Sequence, residues 1–205
     1  MVLNRVKRTN ITASLLMLVS AAALFAWLAQ QADTRQFDSA IRRAVHQVSS
    51  PALTEIMRAV SVLGEVVALI ALSVAVIALL CCFRRFRDAV LLGITMLGAL
   101  GLDLGLKGVF HRSRPVPFFG AAPNSYSFPS GHALASLCFF ATFALILSGY
   151  VQPRGVRWLI WIAAVLLIAV IGFSRIYLGV HYPSDVVGGY CAGIFWVGMV
   201  RRFRK

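Results

Sequence analysis

Three short stretches hold most of the residues in this sequence that could do chemistry. Ser174 to Asp185 reads Ser-Arg-Ile-Tyr-Leu-Gly-Val-His-Tyr-Pro-Ser-Asp, a polar island between apolar runs at 158–173 and 186–200. An arginine, a histidine and an aspartate at the edges of membrane-length runs are costly unless they face a cavity or a partner. Pro183 suits the first turn of a helix, where its missing N–H is no loss. Asp185 then lies in that turn, one helical step beyond His181, where its carboxylate can hold the imidazole in one tautomer. The other two stretches are Lys107 to Arg114-Pro115, with Arg112 between, and Pro129-Ser130-Gly131-His132. Ser130 and Gly131 at a helix start supply a hydroxyl and free backbone N–H groups, which with the helix dipole make an anion site. A lysine, arginines and helix N–H groups suit a phosphate, whose spread charge grows during transfer. One histidine can attack phosphorus and the other can protonate the leaving oxygen. Asp185 stands alone as a carboxylate here, apart from residues 30–60, so the pattern offers no magnesium site. The chemistry is metal-free phosphoryl transfer through a phosphohistidine, with no cofactor.

The elements that must position these residues are membrane helices. Of the 205 residues, 60% are hydrophobic and only 13% charged, and the apolar residues come in long blocks. That excludes an ordinary soluble domain, and the absence of ten-residue alternating segments excludes a β-barrel. The expected fold is an all-α integral membrane bundle of six transmembrane helices forming one unit over residues 1–205. The spans fall at Ile11–Ala29, 62–83, Ala89–Phe110, His132–Tyr150, 158–173 and 184–200. A signal peptide competes for the first of these, but 19 apolar residues exceed the usual core of about 7–15. Between the first two spans, Phe37, Ala40, Ile41, Ala44, Val45 and Val48 follow helical spacing, which predicts a short amphipathic helix in the interface. Ser50-Pro51 reads as the cap and first position of another short helix.

The net charge of +13 does not point to nucleic acid, because the basic residues flank apolar runs instead of forming a patch with aromatics. Six crossings gather Arg5, Lys7, Arg8, Arg84, Arg85, Arg87, Arg154, Arg157, Arg201, Arg202, Arg204 and Lys205 on one side, twelve of the 20 cations. By the positive-inside rule that side is cytoplasmic and holds both termini. Segments 30–60, 107–132 and 174–185 then share the outer face.

The motifs resemble the type 2 phosphatidic acid phosphatase superfamily. Lys107-(six residues)-Arg114-Pro115, Pro129-Ser130-Gly131-His132 and Ser174-Arg175-(five residues)-His181-(three residues)-Asp185 match its three signature motifs in order, over residues 107–185. The resemblance implies that His181 is the nucleophile, Asp185 its orienting partner, and His132 the acid for the leaving group and base for the releasing water. It implies that Lys107, Arg114, Arg175, Ser130 and Gly131 bind the phosphoryl oxygens, without a metal. The substrate would be a membrane lipid phosphate or diphosphate: a polyprenyl diphosphate, phosphatidylglycerophosphate, phosphatidic acid or a lipid A phosphate. A bacterial inner-membrane setting, with the site on the periplasmic side, goes with this reading. One rival is a phosphotransferase using the same phosphohistidine; another, from a different class, is a non-catalytic anionic-lipid binder or transporter.

Other residues have plainer expected roles. Asp103 lies four residues before Lys107, an order suited to an ion pair. Glu65 reads equally as a boundary residue or as a contact of the site, Arg112 and His111 as residues beside the first motif that can reach a headgroup, and Asn124 and Tyr126 as pocket rim. Gly101/Gly105 and Gly189/Gly193 have the small-xxx-small spacing of close helix packing. Trp158, Trp161 and Trp196 read as interface anchors or inter-helix packing, and the cysteines (81, 82, 138, 191) as small buried hydrophobes without disulfides.

Overall fold

In a lipid environment the backbone must satisfy its own hydrogen bonds, and apolar runs without internal proline do so as helices. The computed structural model describes residues 32–121 and 123–204. These form α1 (Ala32–Gln47), α2 (Pro51–Val62), α3 (Val66–Cys82), α4 (Phe86–Phe110), α5 (Gly131–Ser148), α6 (Arg154–Tyr177) and α7 (Pro183–Val200), followed by a 3-10 turn at Arg201–Arg204. The described residues contain no strand. By length and composition α4, α5 and α6 can each cross a membrane, and α2 with α3 can make a fourth crossing if the bent pair is one span. The expected first span and the basic residues before it lie outside the described residues.

α5 is the central element, packed against α3, α4, α6 and α7. The flanks of the bundle are apolar and exposed: Val67, Leu97, Leu104, Leu159, Val165 and Ile194 are each more than half accessible. Such a belt fits a hydrocarbon surround, where lipid is as apolar as leucine and helices are held by close approach and hydrogen bonds. Gly189 and Gly193 serve that end, since a Cβ at Gly189 would lie 2.7 Å from the Ser130 carbonyl oxygen and one at Gly193 2.9 Å from Leu137. The same expectation fails for Gly101 and Gly105, which face open space. The close approach on α4 is at Gly98, where the Trp196 indole of α7 fills the position of a side chain and donates Nε1–H to the Thr95 carbonyl at 2.9 Å. Trp196 is thus an inter-helix wedge.

α3 runs unbroken through most of the span expected at 62–83, and the short helix expected from Ser50-Pro51 is α2, which meets α3 at a 48° bend. Gly64 lies at the bend, where a Cβ would be 2.6 Å from Ile171 and 3.0 Å from His132, so only glycine lets the turn come this close. The expected amphipathic helix is present at 32–47: Phe37 and Val48 are exposed, Val45 packs partly buried against Met57 and Tyr177, and Asp38 is completely buried. Of the four free cysteines only Cys138 is buried, and Cys82 and Cys191 are exposed.

Candidate active site

The polar island becomes the junction of α6 and α7. α6 ends at Tyr177, and Gly179 turns the chain with φ +77°; a Cβ there would sit 2.5 Å from the Phe118 backbone nitrogen. The Arg175 carbonyl accepts the N–H groups of Val180 and His181, which fixes the loop that carries His181 against the end of α6. Pro183 opens α7, and the Asp185 carboxylate accepts the Tyr182 N–H at 2.9 Å, capping the helix as a capping-box acid does. The Ser130 N–H donates to the Asp185 carbonyl at 2.9 Å, so the start of α5 is tied directly to the start of α7. Phe118 and Phe119 N–H groups reach the Leu178 carbonyl and join the 111–130 connection to the same junction.

These ties bring the residues of all three motifs to one end of the bundle. His181 is buried, with Nδ1 3.4 Å from Asp185 Oδ2 and Nε2 3.0 Å from Arg114 Nη1. A proton on Nδ1 leaves the Nε2 lone pair facing Arg114. Arg114 also donates to the carbonyls of Val180 and Ser125 and to Ser125 Oγ, so its planar fork is held on several sides. Burial pushes the His181 pKa down to about 4, with Asp185 opposing and Arg114 and Arg175 adding to the fall. The imidazole is therefore neutral at pH 7, the form in which a histidine nitrogen carries a free lone pair. Burial likewise lowers the Arg114 pKa, opposed by Asp185 and Asp103.

His132, on the first turn of α5, lies within electrostatic range of Arg175, His181, Lys107 and Arg114. Arg175 is buried and donates from Nη1 to Ser61 Oγ on α2. Four buried polar atoms in this group have no hydrogen-bond partner within the protein: Ser130 Oγ, His132 Nε2, Arg175 Nε and Asp103 Oδ1. Buried polar groups are seldom left so, and a cluster of them marks the place of a polar ligand. Asp103 pairs with Lys107 at 2.7 Å, as their spacing predicts, and its other oxygen lies where a Gly131 side chain would be. Among the described residues no group of His, Cys, Asp and Glu has the arrangement of a metal site.

The residues beside the motifs sort differently. Glu65 is exposed at the start of α3. Asn124 and Tyr126 line an open polar recess of about 430 Å³ next to Arg114, and His111 packs edge-on against Tyr126. Arg112 is not a free headgroup contact: its guanidinium bridges Asp185 and Asp38, because a buried carboxylate requires a cation or donors. Sequence reasoning missed Asp38, Ser61, Gly64 and Ser127, whose hydroxyl donates to Asp185 Oδ2. Ser127 carried a signal, two residues before Pro129; the other three sit far along the chain from the motifs.

A helical bundle with apolar exposed flanks and a buried cationic centre at one end is the architecture of a membrane protein that handles an anion. Residues 88–205 match the PAP2 superfamily. Phosphatidylglycerophosphatase B of Bacillus subtilis is 31% identical over 194 residues, covering 92% of this chain and 91% of the relative. An undecaprenyl-diphosphatase of Sulfolobus acidocaldarius is 32% identical, covering 62% of this chain and 60% of the relative. The crystal structure of a transmembrane PAP2 type phosphatidylglycerolphosphate phosphatase from Bacillus subtilis superposes with a TM-score of 0.84 at 28% identity, covering 92% of this chain and 94% of that one. The chain belongs to the PAP2 superfamily, among its integral-membrane lipid phosphatases.

Proposed function

We propose that this protein hydrolyses a lipid phosphate or diphosphate through a phosphohistidine on His181, without a metal. The observation that carries the reading is the buried His181, held between Asp185 and Arg114 beside the unpartnered Ser130 Oγ, His132 Nε2 and Arg175 Nε. The phosphoryl oxygens take the Arg114, Arg175 and Lys107 cations, the Ser130 hydroxyl and the Gly131 N–H. As the phosphoryl group docks, Arg114 moves its donor from Nε2 to a phosphoryl oxygen. The Nε2 lone pair then forms a bond to phosphorus while the bond to the leaving oxygen breaks, and that oxygen takes a proton from His132. Water attacks the phosphohistidine, passes a proton to His132, and restores neutral His181 with release of phosphate.

The whole chain works as one membrane unit in this reading. Six crossings put both termini in the cytoplasm and the site at the outer edge of a bacterial inner membrane. An apolar groove of about 430 Å³ supports a lipid substrate. Leu69, Ile70, Ile77, Met96 and Leu100 line it, and Asp103 and Gly131 stand at its polar end. A tail in that groove would bring its phosphate to the start of α5. The names of the relatives favour phosphatidylglycerophosphate or a polyprenyl diphosphate as the substrate class.

The test is phosphate release by the detergent-purified full chain with chelator present, wild type beside His181→Ala. The panel contains phosphatidylglycerophosphate, undecaprenyl diphosphate and phosphatidic acid. Release by the wild type that is abolished in the variant supports the proposal. Release that survives in His181→Ala, or none from any lipid by folded wild type, refutes it. A newly phosphorylated lipid without free phosphate would make the protein a phosphotransferase instead.

A further inference from the structure

Asp38 is completely buried on α1, outside the residues that match the family, and the reaction proposed above makes no use of it. Its Oδ1 accepts the Ser184 N–H at 2.9 Å, and its Oδ2 accepts the Ser184 hydroxyl at 2.5 Å and Arg112 Nη2 at 2.8 Å. The other arm of the same guanidinium, Nη1, donates to Asp185 Oδ1 at 2.5 Å and to Ser184 Oγ at 2.8 Å. The Tyr182 ring covers this guanidinium, 4.3 Å from Cζ to its centroid. Two buried carboxylates from helices far apart in sequence are thus joined by one planar cation. The fixed fork of arginine can do this, and the point charge of lysine cannot.

The division of labour on Asp185 gives the bridge its meaning. Oδ2 receives Ser127, the Tyr182 N–H and the His181 ring, while Oδ1 receives Arg112. Holding Oδ1 sets the rotation of the carboxylate, and that rotation aims Oδ2 at His181 Nδ1. We infer that Asp38 and Arg112 are positioning residues, which lock Asp185 against His181 and make α1 part of the catalytic apparatus without touching the phosphate. This rests on His181 acting as the nucleophile.

The bridge has an electrostatic signature as well as a geometric one. The charged and titratable groups that face His181 are Asp185 from α7, Arg114 from the connection before α5, Arg175 from α6 and His132 from α5. Arg112 acts through Asp185. Its removal leaves the carboxylate charge less offset, so His181 holds a proton more readily. Loss of the Asp38 charge has the opposite sign, because Arg112 is then shared with no second carboxylate.

The experiment measures kcat, KM and the pH profile of kcat/KM for wild type, Arg112→Met, Arg112→Lys, Asp38→Asn and His181→Ala. It uses the full chain in detergent, on whichever lipid of the panel is turned over best, with folding checked by thermal melting. Arg112→Met should lower kcat roughly 10²-fold, the scale of an ångström-sized misplacement, with KM little changed and the acid limb moved to higher pH. Arg112→Lys should restore the limb and only part of kcat. Asp38→Asn should move the limb to lower pH. A folded Arg112→Met with the wild-type limb and kcat would overturn the inference, as would a shift of the same sign in Arg112→Met and Asp38→Asn. Where Arg112→Met does not fold, Arg112→Lys and Asp38→Asn decide, and wild-type kcat and limb in both would overturn it. Turnover that persists in His181→Ala refutes the nucleophile instead, so the two failures are distinguishable.

Discussion

Asp185 Oδ2 lies 3.4 Å from His181 Nδ1, and the same oxygen accepts the Tyr182 N–H at 2.9 Å. One carboxylate therefore caps α7 and orients the histidine that precedes it. Asp185→Asn keeps the shape but offers the ring an amide in place of a charge. We expect kcat to fall by up to roughly 10⁴-fold, as when a buried aspartate behind a catalytic histidine is neutralised. Weakening of the cap together with the buried Arg112 pair should destabilise the protein by about 3–5 kcal/mol. Wild-type turnover in this variant would show that Asp185 only caps the helix.

Burial holds the His181 pKa down at about 4, and if His181 is the nucleophile proposed above, that value should set the acid limit of turnover. The unfolded chain takes up a proton as pH falls through the ordinary histidine value near 6.5. The folded chain does not take it up until about pH 4. Stability contributed by the neutral ring is therefore lost progressively across that window as pH falls. Activity should hold through the same window and fail near its lower end. The profile of kcat/KM is the measurement, and an acid limb at 6.5 or above would contradict a buried neutral His181.

Gly64 links the α2–α3 bend to the second histidine. A methyl group there would press on Ile171 at 2.6 Å and His132 at 3.0 Å. Gly64→Ala should destabilise the protein by about 1–3 kcal/mol, the range for overpacking. It should also lower kcat more than it changes KM if the methyl group displaces His132. A melting curve and steady-state kinetics on the same preparation separate the two effects, and wild-type kcat in the variant would show that the bend does not position His132.

The cationic centre predicts an ion response. Turnover should be indifferent to chelators, because the described residues assemble no metal-ligand group at the site. Vanadate should inhibit by mimicking pentacovalent phosphorus among Arg114, Arg175 and His181. Loss of activity on chelation, restored by a divalent ion, would count against the mechanism.

Much of this was legible in the sequence because it depends on local spacing. Membrane-length apolar runs must be helices, whatever their neighbours, since lipid leaves the backbone no other partner. Pro183 and Asp185 mark the start of α7 on their own, and the four-residue separations of Asp103 from Lys107 and of His181 from Asp185 belong to helical geometry or a turn entering it. Only the tertiary structure decided which residues stand behind the motifs. Asp38 reaches Asp185 through Arg112 across 74 and 73 residues of chain, and Ser61 reaches Arg175 across 114. Nothing local marks such pairs: Asp38 is one polar residue of an amphipathic helix, and only its contacts with the Arg112 guanidinium and Ser184 account for its complete burial. Gly98 and Gly64 follow the same logic, since no sequence period records which side chain from another helix will occupy the space that a glycine leaves.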